Sequence, residues 1–120
     1  GAGEILLTSV DHEGVGKGMN IDLINLVCNA VNIPVVAHGG IGSPIHVLEI
    51  AKRLPVSGLA LASILHYQYI TKNKHLDGFE EEGNIEFLKS NRILSSITLS
   101  MISDVKKILV DNNINCRYYE

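Results

Sequence analysis

An α/β fold with parallel strands is the class that this 120-residue chain predicts, and three observations carry it. Apolar runs begin near residues 4, 34 and 58, and glycine-rich or polar loops lead from them into stripes at helical spacing. The runs are apolar almost throughout instead of alternating, as suits strands covered on both faces of a parallel sheet. The repeated order of strand, loop and helix then argues for βαβ units.

The first strand is expected over Glu4 to Asp11, "EILLTSVD". After the loop "HEGVGKGM", Asn20 can cap a helix running to about Asn32, with Asp22 in its first turn and Ile24, Val27, Cys28 and Val31 on one stripe. A second strand, "IPVVAH", leads through Gly39, Gly40 and Gly42 to Ser43 as cap and Pro44 at the first helical position, where a missing N–H costs nothing. Val47, Ile50, Ala51 and Leu54 form the apolar stripe of that helix, and Lys52 and Arg53 complement the dipole in its last turn. The third strand is expected over Gly58 to Leu65, "GLALASIL". Residues at about 67–95 break the rhythm with the polar run "KNKHLDGFEEEGN" and are expected to form an insertion. A last helix, about Thr98 to Asn112, carries Met101, Ile102, Val105, Ile108 and Leu109 on one side, with Asn112 and Asn113 as its stop.

Three such units do not close a barrel, and a parallel sheet needs cover on both faces and partners at its edges. A full (β/α)8 barrel typically takes about 250 residues. The expectation is therefore one domain over residues 1–120 that forms the C-terminal fragment of a (β/α)8 TIM barrel, with helices outside the parallel strands. The start at "GAGEILL" without an initiating Met agrees with a chain that begins inside a larger protein.

Composition excludes several classes of function. A hydrophobic content of 46% with 19% charged residues is globular and argues against disorder. The net charge of −3, with no basic cluster longer than Lys106-Lys107, leaves no footprint for nucleic acid or an anionic membrane. No signal peptide or apolar span of about 20 residues is present in the sequence. Cys28 and Cys116 have neither metal spacing nor the numbers for a disulfide framework, which points to the cytoplasm.

The chemistry gathers where strands end. In (β/α)8 barrels phosphate is often held by the loops after the last two strands. Gly39, Gly40 and Gly42 let backbone N–H groups approach a phosphate, Ser43-Pro44 opens a helix whose N-terminus adds positive potential, and Ala62-Ser63 can supply further donors. A tight turn alone would also explain the glycines. Asp11 and Glu13 end the first strand, where carboxylates orient hydroxyls or transfer protons, although turn polarity accounts for them equally well. Glu4 starts a mostly apolar stripe and needs a cation if that face is buried. "GVGKGM" matches neither a dinucleotide-binding fingerprint nor a P-loop, because Met19, Asp11 and Gly18 stand at the wrong places. It reads as a mobile loop over the mouth of a site, with Lys17 in reach of an anion or simply solvated. His12, His38 and His66 fall near the ends of successive strands, which keeps a metal-dependent barrel hydrolase as a rival, although no local pair has ligand spacing on a helix.

"GAGEILLTSVDHEG", "IPVVAHGGIG", "LALASILHY" and the ending "NNINCR" together resemble the closing strands of the cyclase subunit of imidazole glycerol phosphate synthase. The resemblance covers strands six to eight and the last helix of that barrel. It implies a lyase and cyclase of histidine biosynthesis. Ammonia from a partner glutaminase subunit, in a heterodimer, would attack a phosphoribulosyl-formimino aminoimidazole carboxamide ribotide. The products would be imidazole glycerol phosphate and aminoimidazole carboxamide ribotide, with no metal or nucleotide cofactor. By match of position, Glu4 would belong to a charged ammonia gate at the barrel floor, and Gly39, Gly40, Ala62 and Ser63 would hold one phosphate of the substrate. Asp11, Glu13 and Gly14 would line the substrate pocket. The family's two acid/base aspartates lie on strands one and five, so none of the residues present is the main catalyst. The family pattern Asp-x-Asp-Gly-Thr reads here Asp11-His12-Glu13-Gly14-Val15, and His38 stands where the family has Ser. The long insert after His66 is also atypical and resembles divergent paralogues that accompany surface-sugar amidotransferases, in which the barrel would conduct ammonia to another acceptor without cyclase activity.

Overall fold

The computed structural model describes residues 1–72 and 96–117. Three parallel strands lie side by side in chain order: β1 (Ile5–Thr8), β2 (Val35–His38) and β3 (Gly58–Ala60). Helix α1 (Ile21–Ala30) joins the first two and α2 (Pro44–Arg53) the second and third. Helix α3 (Ser63–Lys72) follows β3 directly, and α4 (Ile102–Asp111) packs against α2. The α/β architecture with parallel strands is thus as expected, while the three strands by themselves form an open sheet.

The register explains which residues become core. Leu7, Ala37 and Leu59 are aligned across the sheet and face the helices. There they meet Ile24 of α1, Val47 and Ile50 of α2, Ile64 of α3 and Val105 of α4. Successive strand residues point to opposite faces, so the next row, Thr8, His38 and Ala60, belongs to the other face at the strands' C-terminal ends. On that face Leu6 is 64% exposed, so nothing among the described residues covers it.

Local signals hold at most helix ends. Asn20 Oδ1 accepts the Leu23 N–H at 3.0 Å, which satisfies one of the orphan donors of α1. Asn20→Ala is expected to cost about 1 kcal/mol, read as a lower urea midpoint at unchanged slope. Pro44 opens α2 as expected, with Ser43 as its N-cap residue, although the Ser43 side chain makes no capping bond. Asn113, at φ 59°, takes the left-handed conformation that ends α4, and Ile114 N–H returns to Leu109 O at 2.9 Å.

Three boundaries differ from the sequence expectation. Helix α1 stops at Ala30, because Val31 turns to extended backbone on the way to Pro34. The third strand ends at Ala60 instead of Leu65: Ala62 O accepts from both Leu65 and His66 N–H, so Ser63, Ile64 and Leu65 are the start of α3. An apolar run of that length suits either state, and the continuous pattern concealed the break. Helix α4 starts at Ile102, not Thr98, because Thr98 and Ser100 donate their N–H groups across the fold to Gly42 O and Ile64 O, at 2.7 and 3.2 Å. The Asp104 carboxylate then fixes the start by accepting the Met101 N–H at 2.7 Å. Of the insertion expected at about 67–95, residues 67–72 belong to α3 and the remainder lies outside the described residues.

Candidate functional site

The three β-to-helix turns meet in one open cleft of about 140 Å³ at the C-terminal end of the sheet. Glu13 and Gly14 come from the turn after β1, His38, Gly39, Gly40 and Ile41 from the end of β2, and Ala60 to Ser63 from the end of β3. The four residues expected to hold phosphate, Gly39, Gly40, Ala62 and Ser63, therefore face a common space.

Backbone conformation shows why glycine occupies the β2 turn. Gly39 and Gly40 have φ of 98° and 103°, a region that side chains strain. A Cβ on Gly39 would lie 2.9 Å from Ser9 O, and one on Gly40 would run into the Gly18 carbonyl. The two loops are also bonded there, since Gly18 N–H donates to Gly40 O at 2.8 Å. On the other side of the cleft Ser63 is the first residue of α3, so the helix presents its N–H groups and positive end there.

Two expectations about donors need correction. Gly42 N–H donates to His46 Nδ1 at 3.1 Å, and Gly42 does not line the cleft; its glycine character answers to Gly16, whose carbonyl a Cβ would strike. Ser43 and Pro44 are also outside the lining, so α3 and not α2 offers its N-terminus to the cleft. The loop "GVGKGM" is not a free flap over the mouth. Gly16 is buried, Ser96 Oγ donates to Val15 O at 2.6 Å, and Gly18 is tied to Gly40, while Lys17 is exposed and outside the lining.

The carboxylates separate. Glu13 lines the cleft. Asp11 is exposed and outside the lining, because the chain turns sharply after β1, where Ser9 O accepts both His12 and Glu13 N–H at 3.1 and 3.0 Å. Glu4 lies just before β1, at the opposite end of the sheet, exposed and without an ion pair among the described residues. The histidines have separate neighbours: Ser9 Oγ at 3.0 Å from His12 Nδ1, Thr8 Oγ1 at 3.3 Å from His38 Nδ1, and the Tyr67 ring beside His66. Among the described residues no group of three or more His, Cys, Asp or Glu side chains is placed to hold a metal ion, and no helix is long and apolar enough to cross a membrane.

With this geometry in hand, comparison with known proteins gives a family model, described as histidine biosynthesis protein, that matches residues 1–71. The chain belongs to that histidine biosynthesis family. The matched span includes all three strands and every residue lining the cleft. Similar members of the family are the imidazole glycerol phosphate synthase subunits HisF of Methanopyrus kandleri, Streptococcus mutans and Lactococcus lactis. The first is 46% identical over 83 residues, 69% of this chain and 30% of that protein. The second is 40% identical over 83 residues, 69% of this chain and 33% of that protein. The third is 41% identical over 97 residues, 81% of this chain and 34% of that protein. The chain spans about a third of the length of these curated relatives.

The sequence did not reveal the pairing of His38 with Thr8 or the bond from Gly42 to His46. A histidine four residues after a glycine, in the first turn of a helix, was the available signal for the second.

Proposed function

We propose that this chain forms the last three βα units of a (β/α)8 barrel that works as the cyclase subunit of imidazole glycerol phosphate synthase. In this reading ammonia released by a glutaminase subunit enters near Glu4 and crosses the barrel. It meets the phosphoribulosyl-formimino substrate at the strand ends and yields imidazole glycerol phosphate and aminoimidazole carboxamide ribotide. Gly39, Gly40, Ala62 and Ser63 hold one phosphate of that substrate, Glu13 and Gly14 contact its sugar portion, and Asp11 stands on the same turn. The observation that carries the reading is the convergence of the Gly39–Gly40 turn and the first turn of α3 on one cleft; backbone amides at such turns bind anions. The resemblance to HisF proteins supplies the reaction.

A second reading keeps the glutaminase dock and ammonia route but not the cyclase chemistry, as in paralogues that serve surface-sugar amidotransferases. It is favoured by a bulky imidazole, His38, within the cleft. Full-length protein given the substrate and an ammonium salt separates the two. Turnover supports the cyclase; stimulation of a glutaminase partner without cyclisation supports the paralogue. Glu4→Ala is expected to lower glutamine-driven cyclisation several-fold while ammonium-driven turnover changes little, because only the first route needs a gated entry. Equal losses in the two assays would remove the gate.

A further inference from the structure

We propose that His38 is an anion-binding side chain of the cleft, donating its Nε2–H to the oxyanion held by the Gly39–Gly40 turn and the start of α3. The inference rests on the phosphate reading above and adds a side-chain ligand to it. His38 closes β2 and is aligned with Thr8 on one neighbouring strand and Ala60 on the other. Thr8 Oγ1 lies 3.3 Å from His38 Nδ1. In the proposed arrangement the Thr8 hydroxyl donates to Nδ1, which puts the ring proton on Nε2 and leaves that nitrogen as a donor. On the far side, the single methyl of Ala60 leaves the cleft open, and His38 and Ala60 both line it.

Charge makes this donor matter. Glu13 and His38 are the two titratable side chains that line the cleft among the described residues. Glu13 carries the wrong sign for an anion. The imidazole N–H adds a side-chain donor to the backbone amides of the two turns for a phosphate monoester with its three terminal oxygens. Thr8 is then a positioning residue that selects the ring tautomer.

The test is calorimetric titration of full-length protein with inorganic phosphate, using Ser63→Asp as the control for the cleft itself. His38→Leu is expected to weaken binding about tenfold or more, the loss of one hydrogen bond to a charged acceptor. His38→Gln, whose amide N–H reaches the Nε2 position, is expected to stay within about threefold of wild type, a rescue that the loss of a single charged hydrogen bond requires. Thr8→Val is expected to weaken binding in the wild-type background and to have no effect on top of His38→Leu. It is also expected to move the ring nitrogen NMR signals of His38 toward a mixture of tautomers. The proposal is overturned, and the cleft reading survives, if His38→Leu binds like wild type while Ser63→Asp does not bind. Equal weakness of the Gln and Leu variants overturns the donor role as well. If wild-type protein gives no more heat than Ser63→Asp, the phosphate reading itself fails and His38 falls with it. Thermal melts of all variants keep loss of folding apart from loss of binding.

Discussion

On the proposed phosphate reading, replacing Ser63 with Asp is expected to weaken phosphate binding by roughly two to three orders of magnitude. Position 63 is the first residue of α3 and lines the cleft beside Gly39 and Gly40. At a separation of about 4 Å, a carboxylate there and a phosphate in the cleft would repel by about 4 kcal/mol at the effective dielectric of a protein surface. The same carboxylate suits a helix N-terminus, so the folded state is not expected to suffer. Binding should fall while the melting temperature holds or rises slightly. An affinity within threefold of wild type would show that the cleft does not hold an anion.

The second large effect is on stability. Gly40→Ala is expected to cost about 3 kcal/mol or more, from strain of about 1–3 kcal/mol for a side chain at positive φ and a comparable cost for overpacking. The packing partner is main chain: a Cβ on Gly40 would meet the Gly18 carbonyl and come within 3.1 Å of His12 Cβ, and neither rotates away. Gly14→Ala is the matched control. Gly14 also has positive φ, 73°, but no atom lies within 4 Å of its Cβ position. That variant should lose only the strain, about 1 kcal/mol. Urea unfolding of the two variants checks the difference, and equal midpoints would mean that the close approach of the two loops contributes nothing.

The comparison of these glycines shows what can be read from sequence. The alternation of strands and helices, the core stripe of α2, Ile24 and Cys28 of the α1 stripe, the Asn20 cap and the Pro44 start all follow from local rules, because periodicity and capping are short-range physics. That Gly39, Gly40, Ala62 and Ser63 stand at two neighbouring strand-to-helix turns was also legible, since glycines after an apolar run and small residues after the next one mark such turns. What escaped was anything decided by another segment. Gly42 looks like a third donor of the turn, but it is glycine because Gly16 crosses it. The loop carrying Lys17 looks free, but Ser96, some 80 positions away, holds it through Val15 O. Ser63 was expected on a strand because an apolar octet satisfies either state, and only the Ala62 carbonyl, turned toward Leu65 and His66, decides for helix.

The bonds from Ser96 to Val15, from Thr98 to Gly42 and from Ser100 to Ile64 have a kinetic meaning. Each joins residues more than 30 positions apart, so its loop-closure entropy must be met before the bond forms, whereas the helices and their caps depend on near neighbours. The strand-to-helix turns are therefore fastened by the returning tail of the chain. A chain that has folded only as far as β3 carries the glycines of the cleft but not the three clasps from residues 96–100, so the loops around the cleft set late.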